Sequence, residues 1–310
     1  MIGRALVELL MKAGAKVRIT SLDDPSLVPE GAEFLRLDLT RLDNCLMACE
    51  GIDIVFHLAS IKGSPKAMME KPASFFVNIV LLNTNIMEAA RLSRVEWLLY
   101  TSTVGVYQPA EVFHEDDVWL GPPSAHDKFA GWAKRMGELQ AEAYTIQYGK
   151  NTISIVRPAN VYGLYDNFDS EAAMVIPSLI KRAVNGEDPF VVWGDGTAIR
   201  DFIYAEDVAR GMMFVVEKKY TKPVNLGSGK GYSIKEIVDI VLNNVDKKPK
   251  VVWDVSKPTG DRKRLMDVRR AQSIGFEPHT SLNEGIKTVM DWYRENKSAV
   301  QKRYNKLTEG

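Results

Sequence analysis

A hydroxyl and a cation stand out as groups that could act on an oxygen. Thr103 follows the apolar run Trp97-Leu98-Leu99-Tyr100 and sits at the end of an expected strand. Lys134 falls four residues after Ala130 in a helical pattern, so both lie on one helix face. Ala130 has no proton to exchange, Phe129 beside it has no hydroxyl, and Tyr107 belongs to a different element. The structural alternatives are a strand-end hydroxyl held by backbone and an exposed helical lysine. The two cysteines, Cys45 and Cys49, have a helical spacing that resembles neither a disulfide framework nor a zinc site. We read them as a reduced pair in a cytoplasmic protein and expect no metal. The cluster Arg262-Lys263-Arg264 reads as solvated surface.

Elements must position these groups. The chain has 310 residues with 40 basic and 40 acidic side chains. That length buries a large core, and the balanced charge gives no argument for nucleic acid or a membrane surface. No apolar run is read as approaching the ~18 residues of a membrane span. Strand-like runs occur at 17–20, 34–37, 54–58, 97–100 and 153–156, with helical stretches at 3–13, 41–49, 74–93 and 128–149. Such alternation predicts a doubly wound parallel sheet covered on both faces. From about 164 the pattern loosens into helices near 174–185, 205–217, 233–244 and 282–295. We expect a dinucleotide-binding domain of 1–163 and 201–219. A smaller, nucleotide-sugar-type lobe should be built mainly from 164–200 and 220–296, and 297–310 reads as a polar tail. The opening Ile2-Gly3-Arg4-Ala5-Leu6-Val7 runs directly into a helix. A dinucleotide fold first supplies a strand and a Gly-rich turn, and both are expected upstream of residue 1.

A series of motifs then appears in order. These are Asp38-Leu39; Phe56-His57-Leu58-Ala59-Ser60; Asn78 with the helix Asn83-Thr84-Asn85-Ile86-Met87-Glu88-Ala89-Ala90; Thr101-Ser102-Thr103-Val104-Gly105-Val106-Tyr107; and Arg157-Pro158-Ala159-Asn160-Val161-Tyr162-Gly163. In this series the chain resembles the extended short-chain dehydrogenase/reductases, the NAD-dependent epimerase/dehydratase group. Further segments resemble the GDP-fucose synthase-like subgroup. They are Tyr165-Asp166-Asn167-Phe168-Asp169, Val175-Ile176-Pro177-Ser178-Leu179, Trp193-Gly194-Asp195-Gly196-Thr197, Arg200-Asp201-Phe202 and Trp253-Asp254-Val255-Ser256-Lys257-Pro258.

The resemblance implies a Rossmann-like fold and hydride exchange between a sugar carbon and nicotinamide. It places the cofactor at Gly3, Asp38, Leu39, Leu58, Ala59, Asn78, Lys134 and Pro158. Gly3 matches the last glycine of a GxxGxxG turn. The nucleotide sugar, GDP-linked in the nearest subgroup, falls to Asn160, Val175, Arg182, Trp193, Arg200 and Lys257. A diphosphate suits arginine forks, and a base suits an aromatic wall. Thr103 matches the catalytic Ser/Thr, Lys134 the ribose-binding Lys, and Ala130 the position of the catalytic Tyr. Gly105 and Met174 stand where the subgroup carries a Cys and a His that move protons on carbon, so double epimerisation is not expected. The expected chemistry is 4-epimerisation or 4-keto reduction, impaired by Ala130 and by the absent Gly-rich loop. Ser21 falls about where a strand-end Asp/Glu would select NAD and a small residue would permit NADP; with Asp23 and Asp24 close behind it, NAD is expected and NADP is the alternative. Pairing of the helices at 74–93 and 128–149 predicts a homodimer. The second reading is a non-catalytic dinucleotide- or nucleotide-sugar-binding protein on the same scaffold.

Overall fold

The computed structural model describes residues 1–61, 70–149, 151–168, 173–257, 260–298 and 300. Asp169, Pro258 and most of the 297–310 tail lie outside them. Strand and helix alternate through the first half: α1 (Ile2–Lys12), β1 (Arg18–Ser21), β2 (Glu33–Arg36), α2 (Leu42–Cys49), β3 (Ile54–His57), α3 (Pro72–Leu92), β4 (Trp97–Thr101), β5 (Val112–Phe113), α4 (Lys128–Tyr148) and β6 (Ile153–Pro158). The second half holds β7 (Asn160–Tyr162), α5 (Val175–Val184), β8 (Phe190–Trp193), β9 (Ile199–Tyr204), α6 (Ala205–Glu217), β10 (Val224–Leu226), β11 (Gly231–Ser233), α7 (Ile234–Leu242), β12 (Val251–Asp254), β13 (Lys263–Met266), α8 (Arg269–Ser273) and α9 (Leu282–Asn296).

The main sheet is parallel, in the order β10-β6-β4-β3. Trp97 to Tyr100 and the whole of β6 are buried, as expected for strands covered on both faces. β1 and β2 form a separate parallel pair. A second sheet, β11-β9-β13-β5 with β7 on β9, lies beside the first, and β12 pairs with β8. Two helices of the second half start with complete capping boxes: Ser233 with Glu236 on α7 and Ser281 with Glu284 on α9.

Three cores follow this division. One joins α1, α6, β4 and β10, a second joins α5, α7 and α9, and a third joins α2, α3 and the outer face of the main sheet. The expected domain limits need correction. Val224–Leu226 completes the main sheet, and Met266, Ala271 and Phe276 pack in the core of α1. The span 220–296 is therefore shared between lobes. Asn160–Tyr162 already belongs to the second sheet, and β9 runs unbroken through the expected boundary at 200/201. These short strands carry no period of their own, so the boundary was not visible in the pattern.

The reading of apolar runs also needs correction at α3. By length and composition this helix could cross a membrane. Asn78, Asn83 and Asn85 interrupt its run, while Phe75, Ile79, Leu82, Ile86 and Met87 are buried against the protein's own core. That packing accounts for one side of its apolar character; Val77, Leu81 and Leu92 stay exposed.

Candidate active site

The site begins at the C-terminal end of β4. Thr103 caps the turn Val104–Val106: the Gly105 N–H donates to its Oγ1 at 3.2 Å. No group among the described residues accepts the Thr103 hydroxyl proton, which is left to donate to a ligand oxygen. α4 packs across this turn. A Cβ on Gly131 would run into the Gly105 carbonyl oxygen and the Pro123 ring. Glycine is what lets the helix approach so closely.

Positions 130, 134 and 138 share the sheet-facing side of α4. Ala130 is half-buried there and offers only a methyl group. Lys134 is buried; its Nζ donates to the Thr101 carbonyl at 2.8 Å and lies 5.2 Å from the centre of the Tyr100 ring. Two nearby phenols could in principle replace a missing tyrosine, and neither does. The Tyr100 hydroxyl donates to the Lys134 carbonyl at 3.0 Å, and burial pushes its pKa well above the usual range. The Tyr107 hydroxyl donates to Asn225 Oδ1 at 2.6 Å and is likewise pushed up by burial.

Beneath Thr103 lies a buried polar network. Ser102 Oγ donates to Glu138 Oε1 at 2.5 Å. Arg157 holds the same carboxylate with two donors, at 3.0 and 2.6 Å. Its Nη1 reaches the Tyr107 hydroxyl and the Glu115 carbonyl. The network fixes the backbone on either side of the reacting position.

His57 Nε2 lies 3.0 Å from Asn83 Oδ1, and both side chains are buried. Burial, and then the charge of Lys134, lowers the His57 pKa to about 3. The ring is therefore neutral in the folded chain and protonates on unfolding below its ordinary value of about 6.5. Because the folded value is depressed, its contribution to stability is full above pH ~6.5 and is lost as pH falls toward 3. Thermal melts should show a loss of about 1.4 kcal/mol per pH unit from this group within that window. His57→Gln should flatten that part of the profile; an unchanged slope in the variant would contradict the assignment.

The remaining cofactor candidates line the strand ends. Asp38 turns its carboxylate onto its own loop, accepting from Thr40 N and Oγ1. Leu39 is buried in the core with Cys45, and Ala59 packs against the same core. Leu58 packs against the core of α1, Asn78 Nδ2 caps the Ser74 carbonyl on α3, and Pro158 ends β6 in a buried position. A Cβ on Gly3 would meet nothing within 4 Å. Thr101 Oγ1 is buried at the end of β4 without a hydrogen-bond partner. The orphaned hydroxyl and the open space at Gly3 fit a dinucleotide laid across the strand ends.

The second lobe gathers the sugar-nucleotide candidates in part. Trp193 ends β8 with 62% of its surface exposed, and Lys257 Nζ lies 5.8 Å from its ring centre. Asn160 Nδ2 donates to the Asp201 carbonyl, and Val175 opens α5 against the second core. Arg182 is engaged elsewhere: its guanidinium grips Glu187 with two donors and the Val191 carbonyl, tying α5 to β8. Arg200 stands in register with Arg264 on the adjoining strand. Burial, and then the Arg264 charge, holds the Arg200 guanidinium below its ordinary value. Two half-buried cations side by side are a suitable seat for a diphosphate.

Sequence reasoning missed Asp127 and Arg264. Arg264 Nη2 donates to Asp127 Oδ2 at 2.8 Å and lies 3.4 Å from the Val104 carbonyl, so the second lobe touches the Thr103 turn directly. No local signal marks Arg264: Lys263–Met266 shows no alternation, and the cluster was read as surface. Among the described residues no three His, Cys, Asp or Glu side chains gather to hold a metal.

A parallel sheet with its polar groups at the strand ends, a Ser/Thr–Lys pair and a second lobe over them define a nucleotide-cofactor enzyme class. Residues 1–227 match the NAD dependent epimerase/dehydratase family, and the chain belongs to that family. It is 33% identical over 277 residues to a probable GDP-L-fucose synthase 1 of Oryza sativa subsp. japonica, covering 86% of this chain and 84% of the relative. It is also similar to UDP-glucose 4-epimerase of Thermotoga maritima, solved with UDP-glucose: TM-score 0.84, 25% identity, 96% of each chain. A GDP-L-fucose synthetase from Naegleria fowleri, bound to NADP, superposes with TM-score 0.82 at 25% identity, covering 97% of this chain and 92% of that one. The chain is thus an enzyme-family member whose cofactor is a nicotinamide dinucleotide.

Proposed function

We propose that the chain acts on a nucleotide sugar, GDP-linked, as a C4 epimerase or 4-keto reductase, and that Ala130 slows it. The observation that carries this reading is the pair of cations Arg200 and Arg264, of which Arg264 reaches the Thr103 turn, with Lys257 over the Trp193 ring elsewhere in the second lobe. The first suits the diphosphate and the second suits the base.

Bound NAD(P) supplies or takes the hydride at the sugar carbon. The protein's own part is to hold and polarise. Thr103 donates to the sugar oxygen, which lowers the cost of charge developing there. Lys134 presents a buried cation at the strand end, placed to hold a ribose. Leu58, Ala59, Asn78 and Pro158 wall the cofactor side, with Asp38 and Leu39 at its adenine end. Asn160 and Val175 complete the second-lobe wall, while Arg182 braces α5 against β8. Among the described residues no phenol beside Ala130 is placed to supply the proton, which favours a slow enzyme or, as the second reading, a binding protein. A nicotinamide absorbance assay against a panel of 4-keto nucleotide sugars separates these. Slow turnover abolished by Thr103→Ala supports the enzyme; binding with turnover indifferent to Thr103 supports the binding protein.

The free, buried cysteines suit the cytoplasmic location we propose. We also propose a homodimer built on α3 and α4, which pack against each other. Leu81, Met136 and Leu139 leave 36–45% of their surface exposed, joined by Val77 and Phe129. Leu82 and Ile86, on the same helix as Leu81, are core residues, and Trp132 is half-buried. Sedimentation should give a dimer at micromolar concentration, and Leu139→Glu should shift it to monomer. A monomeric parent chain would refute the assembly.

A further inference from the structure

We propose that Asp127 is an acid–base group of this site, acting on the C–H bond next to the sugar ketone. The inference rests on the nucleotide-sugar reading above. Its basis is the space beside Gly105. A Cβ built on Gly105 would stand 3.1 Å from Asp127 Cγ and 3.2 Å from Oδ1. The carboxylate thus fills the place that a side chain at position 105 would take. It does so two residues from Thr103 in the same turn, and one helical turn ahead of the Ala130 region.

The two carboxylate oxygens are in different states. Oδ2 accepts from Arg264 at 2.8 Å and lies 3.4 Å from Ser124 Oγ. Oδ1 accepts no hydrogen bond among the described residues, and it is the oxygen turned toward Gly105. Arg264 therefore fixes the group in place, while the other oxygen stays available. The side chain retains 24% of its exposure, so a ligand can reach it.

The reaction needs no oxidant. Asp127 takes the proton from the carbon beside the C4 ketone, and the C–H electron pair forms the carbon–carbon double bond of an enolate. The carbonyl electrons move onto the C4 oxygen, which accepts the free Thr103 hydroxyl. The carboxylic acid then returns a proton to that carbon. Carboxylates serve as bases at carbons next to carbonyls in other enzymes. On this view Gly105 opens a place for a carboxylate donated from the start of α4.

The test is deuterium uptake in heavy water from a 4-keto nucleotide hexose, without nicotinamide, read by mass spectrometry. The 310-residue chain should exchange protons beside the ketone faster than buffer. Asp127→Asn should slow this by about 100-fold, the scale of a general base, with calorimetric affinity for the sugar retained. Gly105→Ala, which leaves the carboxylate but crowds it, should also slow exchange and keep affinity. Undiminished exchange in Asp127→Asn overturns the proposal, as does a parent chain that binds the ketone and exchanges nothing. Failure of the parent chain to bind any such sugar, read separately by calorimetry, overturns the nucleotide-sugar reading itself.

Discussion

Arg157→Met and Glu138→Gln are each expected to cost about 3–5 kcal/mol of stability, enough to leave much of the chain unfolded near 37 °C. Arg157 is 1% exposed and Glu138 is 5% exposed. Two hydrogen bonds join the pair in the interior. Removing one leaves a buried charge with neither water nor a counter-ion, and the desolvation cost is then uncompensated. The double variant Glu138→Leu with Arg157→Met removes both charges and should recover most of the loss. Urea denaturation gives all three numbers. Single variants within about 1 kcal/mol of the parent would mean the pair contributes no more than an exposed one. A consequence for the site follows, because Ser102 Oγ is held by the same carboxylate. Single variants that remain folded should lose the register of Thr103 and turn over more slowly than their folded fraction explains.

Ala130→Tyr is expected to raise C4 redox turnover by about 10²-fold or more. The substituted residue sits on the sheet-facing side of α4, one turn before Lys134, whose buried cation would favour the ionised phenol. The comparison is best made in two backgrounds: the 310 residues alone, and the same chain with a strand and a GxxGxxG turn joined ahead of Met1. The joined segment should increase cofactor affinity, since a Gly-rich turn carries the amides that hold a pyrophosphate. Thr103→Ala should remove most of the gain in either background. If both backgrounds bind cofactor and sugar and Ala130→Tyr changes nothing, position 130 does not face the reacting oxygen.

The main sheet was readable because its strands are long apolar runs between amphipathic helices. β3, β4 and β6, and helices α3, α4 and α6, fall within a few residues of their expected limits. The second sheet was not readable. Its strands are two to six residues long and mix charge with apolar side chains, as in Lys263–Met266, so no period of two emerges. Pairing partners far apart in the chain, such as Val112 with Leu265, supply what the local pattern lacks.

The site divided in the same way. Thr103, Ala130 and Lys134 were legible as candidates because they sit on well-patterned elements, the end of β4 and α4, where the family resemblance could be aligned. Asp127 and Arg264 were missed because their meaning lies in a contact across 137 residues. Arg182 was chosen by position alone, and its partners Glu187 and Val191 show a structural duty that spacing does not reveal. Gly105 looked like a loss of function; the carboxylate beside it becomes visible only in three dimensions.

The most direct test of the central claim is calorimetric titration of the 310-residue chain with GDP-, UDP- and dTDP-linked hexoses. Saturable binding of one nucleotide sugar per chain is predicted, with GDP sugars preferred. Arg200→Ala should weaken it by about 10-fold or more, as expected for a charge-assisted contact worth about 1.5–3 kcal/mol. Trp193→Ala should weaken it through loss of the base wall. Absence of binding for every nucleotide sugar, or binding indifferent to both substitutions, would contradict the account.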